Sequence, residues 1–119
     1  MRCIDATYSH LLFDHLTSRG IAAENVLGKM PKAGSRIAED RWKEMLEKGA
    51  RTVRDSAFGL SVANHFSLRY LGPVGYLLLS SNNVMDALAK GQRYHVLISE
   101  MNPVKAHIDA DHLVLSWPL

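Results

Sequence analysis

The hydrophobic repeat of this chain changes period at Asn102-Pro103, and that switch points to an α+β fold. Upstream, apolar residues recur at helical spacing, as in Trp42, Met45, Leu46, Ala50 and Val53. Downstream they alternate: Lys105, His107 and Asp109 are interleaved with Ala106 and Ile108, and beyond Ala110-Asp111 the residues Leu113, Leu115 and Trp117 share a face. The expected architecture is mostly helical through about residue 98, followed by a C-terminal antiparallel β-hairpin.

Local signals divide the helical part. Thr7–Arg19 places Leu11, Leu12 and Leu16 on one face, begins near the capping residues Asp5 and Thr7, and stops at Gly20. Residues 21–35 carry Gly28, Pro31 and Gly34 and form a connector in which only Ala22–Leu27 has room for a turn of helix. Ala38–Val53 is the clearest amphipathic helix, with Glu39–Lys43, Glu44–Lys48 and Glu47–Arg51 set four apart for ion pairing. A short helix is expected within Phe58–Phe66, carrying Phe58, Leu60, Val62 and Ala63.

The stretch LGPVGYLLLSSNNVMDALAKGQRYHVLIS then sets two helices end to end. Pro73 suits a first turn, where its missing N–H would have had no partner. The helix after it is apolar nearly all round through Val74, Tyr76, Leu77, Leu78 and Leu79, so it is expected to be buried on most sides, with Gly75 allowing close approach of a neighbour. Ser80-Ser81-Asn82-Asn83 forms the joint, with Ser81 expected as the N-cap of a second helix over about Asn82–Ile98. That helix is expected to bury Met85, Leu88, Ala89 and Val96, to show Asp86, Lys90 and Arg93 to solvent, and to be weakened by Gly91.

With 119 residues the chain is a single domain by size. Fourteen basic against twelve acidic side chains leave a formal charge of +2, too little for gripping a phosphate backbone. Eight of the basic residues lie between Lys29 and Arg54, but four acids share that window at pairing distance, which reads as a solvated helix face. The lone Cys3 offers no internal disulfide, and the longest apolar run, Tyr76–Leu79, is far too short to span a bilayer. A soluble, cytoplasmic protein is expected, with no membrane partner.

A search for chemistry returns little. There is no HExxH or CxxC pattern, and His10 and His15 are five apart, so neither a metal nor a cofactor is expected. His107 and His112 flank the hairpin turn without an evident third ligand. No GxSxG elbow is present, and catalytic residues are not assigned; His15 with Asp14 is the pair a small hydrolase would use. The GPVG segment has the GxxG spacing of a backbone clamp but lacks its basic residues and loses a donor to Pro73. Trp42, Tyr76, Tyr94 and Trp117 are candidates to line an apolar cavity, with core packing the simpler role for each singly.

The pattern from Phe58 to Ser99 nevertheless has a family look. FGLSVANHF followed by the stretch above resembles the effector-side N-terminal domain of AraC-type bacterial transcription regulators. The resemblance rests on Phe58-Gly59-Leu60, on Leu71 to Ser81 as L-G-x-x-G-Y-x-x-x-S-S, on Ala87-Leu88 and on Arg93-Tyr94; GIAAENVLGKM and the Trp42 helix agree upstream. It implies a regulatory domain that senses a small-molecule effector, mediates self-association as a homodimer, or does both, and that controls DNA binding through a C-terminal helix-turn-helix part. Nothing after Trp117 supplies such a part, which fits the low charge. A two-stranded ribbon ending at Leu119 is marginal in water, so the chain is expected to be a piece of a larger regulatory domain. Polar-tipped groups near the motif, Arg69, Tyr76, Tyr94 and His95, are the candidate ligand contacts, although the resemblance assigns them no role. A ligand-free interaction domain and a small hydrolase are the alternatives from other classes.

Overall fold

Asp5 starts the first helix as its side chain suggests. In extended conformation, its carboxylate accepts the Thr7 N–H at 2.8 Å, and α1 runs Ala6–Ser18. The computed structural model describes residues 2–100 and 104–118. Leu11, Leu12, Phe13 and Leu16 of α1 are buried and form the centre of the core. The short α2 (Ala23–Leu27) ends at Gly28, whose φ of 85° is one that glycine adopts without strain. Arg41 donates to the Leu27 carbonyl at 2.5 Å and ties that end to the next helix.

α3 (Glu39–Val53) packs Trp42, Met45 and Gly49 inward. Two of the expected ion pairs form, Glu39–Lys43 at 2.9 Å and Glu44–Lys48 at 2.8 Å, while Arg51 reaches the Glu47 backbone carbonyl instead of its carboxylate. α4 (Phe58–Ala63) buries Phe58 and Val62 but leaves Leu60 exposed. Gly49 is required here: a Cβ would stand 2.8 Å from the Phe58 ring.

The helical part also contains strands that periodicity did not reveal. β1 (Cys3–Asp5) pairs antiparallel with β2 (Arg36–Ala38), Ile4 facing Ile37, and an isolated bridge joins Ile4 to Ser99. Three-residue strands are too short to show alternation, and their pairing spans more than thirty residues of chain.

A 3-10 turn (Leu68–Leu71) leads through Gly72 into α5 (Pro73–Leu79) and then α6 (Val84–Ile98). Three expectations are corrected here. α5 is not buried on most sides: Val74 and Gly75 are covered, but Tyr76 is 73% and Leu79 66% exposed, because only the 3-10 turn and α6 pack closely against it. Gly75 does permit the expected close approach, since a Cβ there would strike the Leu68 carbonyl group. The N-cap of α6 is Asn83, not Ser81. Its Oδ1 accepts the Asp86 N–H at 2.8 Å while the Asp86 carboxylate accepts the Asn82 N–H at 3.2 Å, a reciprocal cap. Ser80 and Ser81 instead turn their hydroxyls back to the Leu77 carbonyl at the end of α5. Finally, α6 has no fully buried residue; Met85 and Val96 lie open and Leu88 is half-buried.

The hairpin forms as the alternation requires. β3 (Lys105–Asp109) pairs with β4 (His112–Ser116), so Ala106 faces Leu115 and Ile108 faces Leu113 on the apolar side. Ala110 opens the turn at a left-handed φ of 52°. The break at Asn102-Pro103 lies outside the described residues. Every buried apolar side chain among the described residues falls at or before Val74, and the core cluster itself ends at Tyr70, so α6 and the hairpin stand against a core completed without them.

Candidate functional site

The incompletely covered half of the fold holds a groove. Val84, Ala87, Leu88, Gly91, His95 and Ile98 recur at spacings of one, three and four, which places them on one face of α6. Leu71 from the 3-10 turn, Leu78 from α5, and Val104 and Ala106 at the hairpin form the walls. The cavity measures about 500 Å³, within the range of small-molecule sites, and its lining is overwhelmingly hydrocarbon. Ala87 and Gly91, one turn apart, keep its floor low, and the space above Gly91 is open.

Polar groups are few and lie together. Gln92 and His95 lie in the C-terminal half of α6 and Ser99 is its C-cap. A carbonyl can only accept, so His95 donates from Nδ1–H to the Gln92 carbonyl, at 3.4 Å. In the neutral ring this leaves Nε2 as an acceptor. The ion pair Lys90–Asp86, at 3.3 Å, involves no groove-lining residue, and there the Asn82 N–H and then Lys90 hold the Asp86 carboxyl below its ordinary range. No lysine, arginine, aspartate or glutamate lines the groove.

Of the four contacts expected from sequence, one lines this groove. His95 does. Arg69 is committed elsewhere: it reaches the Asp14 carboxylate at 3.2 Å and the Tyr70 hydroxyl at 2.7 Å, with its guanidinium 4.5 Å over the Tyr70 ring. Tyr70 in turn donates to Asp14 at 2.5 Å, so the trio clamps the 3-10 turn onto α1. Burial and then the Asp14 carboxylate push the Tyr70 hydroxyl above its usual pKa. Tyr76 borders a hollow of about 60 Å³ beside Arg69, and Tyr94 borders another of about 280 Å³ with Lys90 and Arg93. Gly91, Ala87 and Gln92 were missed; the signal available was a pair of small residues four apart on an otherwise apolar helix face.

The aromatic quartet is likewise dispersed. Trp42 packs in the core 5.6 Å from the Tyr8 ring, whereas Trp117 sits at the far end of the hairpin beside Lys105. The hydrolase pair does not assemble either. Asp14 faces Arg69 and Tyr70, while His15 is 2% exposed, both ring nitrogens without a hydrogen-bond partner, packed between Phe58 and His65. His107 lies opposite Val114 and His112 opposite Asp109, diagonal neighbours on the polar side of the hairpin. Among the described residues no group of three histidine, cysteine or acidic side chains is placed to hold a metal. No helix among them is long and apolar enough to cross a membrane.

No curated protein matches the chain. A protein-family model does, over nearly its full length. Residues 9–118 match the arabinose-binding domain found at the N-terminus of AraC transcription regulators, and the chain belongs to that family of ligand-binding regulatory domains.

Proposed function

We propose that residues 1–119 form one N-terminal regulatory domain of an AraC-type transcription factor, with the α6 groove as its effector site and a helix-turn-helix part outside these residues reading DNA. The observation that carries the ligand reading is the groove itself, a concave apolar surface with a small polar cluster, within a chain of a ligand-binding family. It lies between α6 and the start of the hairpin, so an occupant touching both favours one relative placement over another. That differential contact is what allosteric control needs.

Self-association is the second part of the proposal. The chain exposes 7788 Å², whereas a compact monomer of its mass exposes about 6,450 Å². The excess of roughly 1,300 Å² is what one partner contributes to a large homodimer interface. Leu77, Leu79, Val96, Leu97, Ile108, Leu113 and Leu115, all on α5, α6 and the hairpin, supply apolar surface for it. Fusing residues 1–119 to a monomeric DNA-binding domain is expected to raise occupancy of paired half-sites, and L113E with L115E to remove the gain. A fusion that binds paired sites no better than the unfused DNA-binding domain, and sediments as a monomer at micromolar concentration, overturns the dimer.

A further inference from the structure

We infer that the groove is shaped for an elongated, mostly hydrocarbon molecule with a single hydrogen-bonding end, and not for a sugar. This deepens the reading of the groove as the effector site and rests on it. Along α6 the lining runs Val84, Ala87, Leu88 and Gly91, then Gln92, His95 and Ile98. At 1.5 Å per residue the step from Val84 to His95 is about 16 Å, so the end of the groove at Val84 is all hydrocarbon and the polar side chains of α6 lie toward the other. A pentose carries hydroxyls all round its ring, and each one buried without a partner costs about 1–3 kcal/mol. Gln92 and His95, one turn apart, are the polar side chains of α6 in the lining, enough for one end of a ligand. The hydrocarbon of Leu71, Leu78, Ile98 and Val104, which makes up most of the rest of the lining, offers a sugar nothing.

Gly91 is the independent sign that something lies on this floor. A glycine in mid-helix costs about 1 kcal/mol against alanine. At Gly49 and Gly75 internal packing explains the glycine, because a Cβ would strike Phe58 or the Leu68 carbonyl. At Gly91 a Cβ would meet nothing within 4 Å, so no contact among the described residues requires its absence. Gly59 has open space too, but it stands on the surface, whereas Gly91 lines the cavity. A ligand resting against the bare backbone of α6 accounts for it.

The test is calorimetric titration of the 119-residue chain with straight-chain primary alcohols of increasing length, below their aggregation limits, and with L-arabinose. Each added methylene is expected to tighten binding about fourfold until the groove is filled. Gly91→Ala is expected to weaken the longest alcohol about fivefold while raising the melting temperature, a combination a merely structural glycine would not produce. His95→Leu is expected to weaken it about threefold to tenfold. Saturable L-arabinose binding that displaces the alcohol and is lost in Gly91→Ala overturns the ligand class while keeping the groove as the effector site. Alcohols bound equally by the parent chain and Gly91→Ala, or no binding by either probe, overturn the ligand class and the site together.

Discussion

Replacing His15 with leucine should make the protein more stable and flatten its acid sensitivity. The ring is 2% exposed, its centroid 4.8 Å from that of His65 and 5.5 Å from that of Phe58, and neither nitrogen has a hydrogen-bond partner. A neutral imidazole has one donor and one acceptor, and leaving such groups buried and unpaired costs roughly 1–3 kcal/mol. Leucine fills similar volume without that penalty, so His15→Leu is expected to gain about 1–3 kcal/mol at pH 7.5, with each kcal/mol worth some 3–5 °C in Tm. The pH dependence follows from the same surroundings. Burial first, then His65 and Arg19, lower the His15 pKa, against a smaller opposite pull from Asp55. The unfolded chain therefore takes up this proton at a higher pH than the folded one. The His15 contribution is fully present above about pH 6.5 and is lost as the pH falls below it, with a slope no steeper than about 1.4 kcal/mol per pH unit. The lowered carboxylates at Glu39, Glu44, Asp55 and Asp86 act in a separate window, lost only as the pH falls through the carboxylate range. Urea denaturation of both proteins at pH 7.5 and 5.5 reads the effect directly. If His15→Leu is the less stable protein at pH 7.5 and loses as much on acidification as the parent, the reasoning is wrong.

Gly75→Ala is expected to destabilise by about 1–3 kcal/mol despite the better helix former, because the new Cβ meets backbone, 2.9 Å from the Leu68 carbonyl carbon; chemical denaturation checks it, and a gain in stability would refute the close approach. Asn83→Ala is expected to lose about 1 kcal/mol and to fray the first turn of α6, whereas Ser81→Ala is expected to leave that turn intact, a contrast that hydrogen exchange at the Asp86 amide resolves.

The lengths of α1 and α3, their faces and the final hairpin were legible in the linear chain because each rests on short-range rules. Asp5 caps α1 two residues away, Glu39 meets Lys43 one turn on, and Ala110-Asp111 closes a ladder whose partners are near in sequence. Apolar content, by contrast, did not say what would cover it. α5 and α6 were expected to be buried by their composition, and the structure leaves much of both open.

Of the site, His95 was legible as a polar-tipped residue beside the motif, while Arg69, equally plausible by that criterion, turned out to hold Asp14 and Tyr70 more than fifty residues away. The amino-acid sequence by itself determined the fold class, the family, the Asp5 cap of α1 and the Pro73 start of α5. Tertiary structure alone decided that Cys3–Asp5 pairs with Arg36–Ala38, that His15 lies in the core, and that Gly91 opens onto a cavity and Gly75 onto a carbonyl. The reason is physical: caps and helix faces are set by neighbours within one or two turns, whereas strand pairing, burial and concavity depend on which distant segments meet.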